Sequence, residues 1–180
     1  SSMDAAYGQK KLFTADTVKG FAFIDLCQKN FDVVLMNPSF GEGALFVKSY
    51  LHNTYKNWNK NILCAFFDRF SSASLLGVVM DRSPLNKSTY EDFRRESFLK
   101  DSNLDLVGDL GWGVLDANVE VASVVVSGKG NKSRYTTVFD VRSEDADNKS
   151  NALKASLKGG CNLFLHETGC FQSFPNSSLV

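Results

Sequence analysis

Apolar runs of strand length alternate with stretches of helical spacing along most of this chain. Phe31 to Met36 is a mostly apolar run, the pattern of a strand buried on both faces of a sheet, and Leu75 to Asp81 repeats it. Leu104 to Leu110 reads as a third strand, and Val119 to Ser127, alternating and then apolar, as a fourth. Tyr135 to Arg142 carries Thr/Val alternation, and Asn162 to His166 makes a last short strand. Between them the period changes. Leu45 to Tyr55 and Asn59 to Ser72 predict two helices, the second with Ile62, Leu63, Phe66, Phe67 and Phe70 on one core-facing side. Ser88-Thr89-Tyr90-Glu91 has the form of a capping box opening a helix to about Leu99. Glu144 to Leu157 reads as a solvated helix stopped by Gly159-Gly160. Ahead of the first strand, Val18, Phe21, Ala22 and Leu26 give Thr17 to Gln28 a short helical face that Asp25 interrupts.

The order strand–helices–strand–helix–strand–strand predicts an α/β fold: a layered sheet with helices on both faces and an antiparallel hairpin at one edge. Residues 31–36 are expected to be a central strand flanked by 76–81, with 104–110 and 120–127 as the edge hairpin. Residues 1–30 read as a lead-in, whose Ser1-Ser2-Met3 has the look of an addition ahead of the authentic sequence, and 31–178 as the folded domain.

Composition narrows the class. The 180 residues are 43% hydrophobic with 15 Phe, ample for one core. Twenty basic and 20 acidic residues cancel, so no global field draws nucleic acid, as the basic stripe of a free-standing DNA binder would. There is no run of 18 apolar residues, so no transmembrane span is expected, and residues 1–11 lack the apolar middle of a signal peptide. Cys27, Cys64, Cys161 and Cys170 form no Cys-x-x-Cys pair, which fits reduced thiols of a cytoplasmic protein. Cys161, His166 and Cys170 are too sparse for a tetrahedral metal site, so no metal is expected. The Asn-x-Ser matches at Asn86, Asn131, Asn148 and Asn176 are read as accidental.

The most informative segment is where the first strand stops: Asn37-Pro38-Ser39-Phe40-Gly41. It presents an amide, a backbone carbonyl and an aromatic face at the carboxyl edge of the sheet, where ligands of open α/β sheets bind. It resembles the Asn-Pro-Pro-Tyr/Phe loop of the amino-group methyltransferases, which use S-adenosylmethionine to methylate adenine N6 and related exocyclic or amide nitrogens. The resemblance implies that the Asn37 side-chain oxygen and the Pro38 carbonyl accept the N–H bonds of a delocalised amine and free its lone pair. Phe40 would stack on the base after it is flipped from the duplex. Ser39 stands where the common form has a second proline, loosening the loop by about 0.4–1 kcal/mol, and Gly41 closes it. Gly111 to Asp116 is placed at the mouth of the substrate site.

The similarity extends further. Phe66-Phe67-Asp68-Arg69-Phe70, Leu76 to Met80, Phe93-Arg94-Arg95, Val107 to Gly111, Val119 to Val126 and Phe171 to Ser177 follow in an order that looks like the second half of the adenine-specific DNA methyltransferases of type IIG restriction–modification and BREX phage-exclusion systems. That resemblance covers residues 30–178 and implies a partial Rossmann-like methyltransferase sheet, S-adenosylmethionine as cofactor in the intact enzyme, and double-stranded DNA as partner. The glycine-rich cofactor loop of the family has no counterpart before Phe31, where Tyr7-Gly8-Gln9-Lys10 has one glycine and no preceding strand. The expectation is therefore a carboxyl-terminal half of a catalytic domain, inactive alone, with an exposed apolar flank at 31–36 that favours self-association. The alternatives are a protein-glutamine or ribosomal-RNA amino-methyltransferase, and a non-catalytic remnant.

Overall fold

The first strand, β1 (Val33–Met36), leads through the Asn-Pro loop into helix α1 (Leu45–Thr54) and then α2 (Ile62–Arg69). After β2 (Leu75–Asp81) comes a single turn α3 (Ser83–Asn86), then α4 (Glu91–Arg94), which widens into a π-helical segment over Arg95–Lys100. Strands β3 (Asn103–Gly111), β4 (Val121–Ser127) and β5 (Tyr135–Asp140), helix α5 (Lys149–Ser156) and strand β6 (Leu163–Glu167) complete the regular elements. This computed structural model describes residues 25, 28–55, 61–100, 103–115, 118–128 and 135–180. The chain divides into two compact units, Ser1–Phe31 and Asp32–Val180. In the first, Lys29 pairs with Asp25 at 3.0 Å; most of the helix expected over Thr17–Gln28 lies outside the described residues.

All six strands form one mixed sheet in the order β1-β2-β4-β3-β5-β6. β1 runs parallel to β2, with Val33 opposite Leu75 and Met36 opposite Val78. β4 lies antiparallel between β2 and β3, β5 is parallel to β3, and β6 is antiparallel to β5. Two expectations are corrected here. Residues 31–36 are not central: β1 ends the described sheet, with Val33 55% and Leu35 80% exposed. The β3–β4 hairpin is not at the edge but in the middle, with β5 and β6 beyond it. An apolar run encodes how much of a strand's side chains can be buried; it does not encode how many strands flank it.

Burial follows the sheet's two faces. One face packs under α2, the α3–α4 region and the carboxyl-terminal tail, with Met80, Leu85, Phe98, Leu104, Val107 and Val124 fully buried. Phe67, Phe93 and Phe98 meet edge to face at 5.3–5.4 Å between ring centroids, the favoured geometry for aromatic pairs. On α2 the buried side is Leu63, Cys64 and Phe67, whereas Phe66 points outward at 39% exposure. Burial pushes the Cys64 thiol up to about 12. The opposite face has a smaller cluster in which Leu110, Val121 and Val141 meet Ala152 and Leu153 of α5.

Local chemistry sets several boundaries. α2 begins at Ile62 because Asn61 is extended and its side chain accepts from Leu63 N–H at 3.0 Å. The capping box expected at Ser88–Glu91 does not form. Ser88–Tyr90 is a 3₁₀ turn without a side-chain cap, and Glu91 instead pairs with Arg95 at 2.9 Å. α5 starts only at Lys149, later than the Glu144 expected, and the residues before it form a turn in which Asn148 N–H and Lys149 N–H both donate to the Asp145 carbonyl. The tail after β6 is held in place. Fully buried Arg94 donates to the carbonyls of Pro84, Lys87, Asn176 and Ser177 at 2.6–3.0 Å, and Phe171 and Leu179 enter the core.

Candidate active site

The parallel strands deliver their following loops to one edge of the sheet, and the Asn-Pro loop leaves β1 there. Within it Pro38 is buried, Phe40 is half-buried against the main core, and Asn37 and Ser39 are exposed. Gly41 adopts φ +98°, a conformation that costs a side-chain-bearing residue and turns the loop away from the strand. Two contacts clamp that turn. Gly41 N–H donates to Asn61 Oδ1 at 3.0 Å, and Ile62 N–H donates to the Gly41 carbonyl at 3.0 Å. Among the described residues no hydrogen bond holds the Asn37 side chain.

Beside the loop opens a cleft of about 670 Å³, within the range of small-ligand sites. Three aromatic residues line it: Phe40 from the loop, Tyr90 from the turn before α4, and Trp112, 54% exposed, from the segment after β3. Asn61, 4% exposed, reaches the cleft from the start of α2 and donates through Nδ2 to Tyr90 Oη at 2.7 Å. The floor is polar. Asp81 accepts Ser83 N–H at 3.0 Å, and Arg82 Nε donates to both oxygens of buried Asp109 at 2.8 and 3.0 Å.

Arg142 shares that carboxylate at 3.2 Å and forms a two-pronged pair with Asp140. The Arg142 hydrogen bond holds the Asp140 carboxyl below its usual range, and the same bond raises the guanidinium further. This network packs against Gly111, at φ +66°, where a Cβ would lie 3.1 Å from Arg142 Cα. The close fit aims the following Trp112 into the cleft. Burial raises the Tyr90 phenol above its ordinary value, with the Asn61 bond acting in the opposite direction.

Of the residues singled out from sequence, Phe40 and Gly41 line the cleft, as does Trp112 of the expected mouth; Asn37, Pro38 and Ser39 lie in the adjoining loop outside its lining. Asp116 lies outside the described residues. Asn61, Asp81, Arg82 and Tyr90 were missed. Asn61 carried a signal, as a helix-capping residue type ahead of an apolar face; Tyr90 sat inside a motif read as a cap.

Among the described residues no group of three or more His, Cys, Asp or Glu gathers as metal ligands, and no helix is long and apolar enough to cross a membrane. Their one Gly-x-Gly ahead of a helix, Gly41-Glu42-Gly43, does not fit a nucleotide-type cofactor. Its first N–H is taken by Asn61, and a Cβ at Gly43 would lie 2.7 Å from Leu51 Cδ1, so that glycine serves packing under α1.

No family model matches the chain, and no curated protein matches its sequence. Solved structures do match its shape. The methyltransferase subunit of a type I restriction–modification system from Streptococcus thermophilus superposes with a TM-score of 0.55 at 15% identity, over 81% of this chain and 36% of that one. The type IIG restriction endonuclease BpuSI gives 0.51 at 16%, over 82% and 21%, and the type ISP restriction–modification enzyme LlaBIII bound to DNA gives 0.54 at 14%, over 80% and 13%. The chain thus spans about a third of the type I subunit it matches and less of the larger enzymes. What it shares with them is the fold, a mixed α/β sheet flanked by helices.

Proposed function

We propose that the chain is the base-binding part of a DNA adenine-N6 methyltransferase of a restriction–modification or phage-exclusion system. The observation that carries this reading is the Asn37–Gly41 loop at the end of β1, clamped by Asn61 so that Phe40 shares an aromatic cleft with Tyr90 and Trp112. An adenine flipped from the duplex needs such stacking surfaces in place of its neighbours in the helix. Asn37 Oδ1 and the Pro38 carbonyl would accept the two N–H bonds of the exocyclic amine, and Phe40 would hold the ring in register. Positioning is the chain's own contribution to rate. S-adenosylmethionine would supply the methyl group, gripped by residues other than the described ones, and no step through it is derived from them. DNA as partner accords with the DNA-bound LlaBIII structure among the fold relatives.

The test uses the full-length protein with S-adenosylmethionine and genomic DNA from a methylation-free host, with N6-methyladenine measured by mass spectrometry. Asn37→Ala should abolish the product while leaving the unfolding transition within about 0.5 kcal/mol of wild type, since the residue is exposed. Methylation retained by that variant would make the loop structural.

A further inference from the structure

The side-chain amide of Asn61 has one orientation that satisfies its surroundings. Gly41 N–H and Leu63 N–H both point at a single atom from 3.0 Å, and only the carbonyl oxygen can receive two donors. The amide nitrogen therefore faces Tyr90 Oη, 2.7 Å away, and donates to it. With its oxygen engaged as an acceptor, Tyr90 keeps its own proton to give. Among the described residues none takes it. The phenol lines the cleft and its ring packs on the main core, so the donor is fixed in position. A tyrosine phenol, with an ordinary pKa of about 10, holds its proton at neutral pH, and burial raises it further.

We propose that Tyr90 is a specificity-determining hydrogen-bond donor that reads a ring-nitrogen acceptor on the purine bound in this cleft, with Asn61 as the positioning residue that ties this donor to the stacking loop. The inference rests on the adenine reading of the same site and adds the atom-level basis of recognition. Adenine offers unprotonated ring nitrogens around its exocyclic amine. A site built to donate to one of them rejects a ring that carries C–H at that point, because the donor is then left unpaired in a partly dry cleft. Asn61 makes the arrangement concerted. Its oxygen fixes Gly41 beside Phe40, and its nitrogen fixes the acceptor side of Tyr90, so stacking ring and reading hydroxyl are held by one side chain.

The experiment measures binding of deoxyadenosine and its 1-deaza, 3-deaza and 7-deaza analogues to the full-length protein by calorimetric titration. Wild type should bind one of the three analogues roughly tenfold more weakly than deoxyadenosine, the loss of one ordinary hydrogen bond. Tyr90→Phe keeps the ring and should bind deoxyadenosine and that analogue equally. Asn61→Asp keeps an oxygen toward Gly41 and Leu63 but turns a second oxygen toward Tyr90, which would accept the hydrogen bond of the phenolic O–H. It should erase the same preference. Equal binding of all four nucleosides by wild type, or an undiminished preference in Tyr90→Phe, overturns the proposal. Methyl transfer to DNA is assayed in parallel. Its absence with the preference intact overturns the methylation reading and leaves the donor assignment standing, and its presence without any preference overturns the donor assignment alone.

Discussion

Two regions of the molecule flanking β2 are finished to different degrees. On the side of α2 and α4, Phe67, Phe93 and Phe98 interlock at 0–4% exposure, Arg94 satisfies four carbonyls, and the tail seals the edge of the core. Around β1 and α1 the same kind of residue stands in the open: Leu35 is 80% exposed, Leu45 85% and Phe46 86%. Hydrophobic content does not separate the two regions, since both are rich in Leu, Val and Phe. What separates them is whether elements from elsewhere in the described chain arrive to cover them. The site lies at the seam between the two, with Phe40 coming from the open side and Tyr90 from the closed one.

Three substitutions probe that contrast. Phe98→Ala should cause the largest effect, a loss of about 3–5 kcal/mol in denaturant unfolding, because a fully buried ring leaves a cavity between two others. A loss under about 1 kcal/mol would mean that the closed side is loosely packed after all. Arg94→Met should follow at about 3 kcal/mol, since it orphans several buried carbonyls whose unmet cost is ~1–3 kcal/mol each before relaxation. Limited proteolysis should then cut within 168–180, the tail that this side chain fastens. Leu35→Ala should do least, within about 0.5 kcal/mol, as expected for a residue that is mostly exposed. If the open face drives association between copies, the same substitution should lower the sedimentation-derived oligomer fraction. A large destabilisation from Leu35→Ala would show that this face is covered in solution, and the contrast would collapse.

The strands were legible because an apolar run is a local property: β2 occupies the expected Leu75–Asp81, and β3 to β6 fall within two residues of their expected bounds at each end. The α/β class followed from the order of those elements. The loop Asn37–Gly41 was legible for a related reason, since a proline and a glycine punctuating the end of an apolar strand act on the backbone where they stand. Strand order was not. Placing β4 between β2 and β3, and β1 at the end, depends on pairings that period-2 patterning leaves undetermined.

The chemistry of the cleft divides the same way. The resemblance to the Asn-Pro-Pro-Tyr/Phe loop nominated Phe40 and Gly41 together with Asn37, Pro38 and Ser39, and the Gly111–Asp116 connection aimed attention at Trp112. Asn61 and Tyr90 acquire their roles from hydrogen bonds spanning 20 and 29 positions, and Arg94 from bonds spanning more than 80. A polar side chain's sequence neighbours do not say whether it will meet water, a cap or a distant backbone group. Sequence by itself determined which segments could be buried and where the chain must turn. Tertiary structure decided which polar atoms those turns bring within about 3 Å of one another, because a hydrogen bond needs a particular partner at a particular angle whereas hydrophobic burial is non-directional.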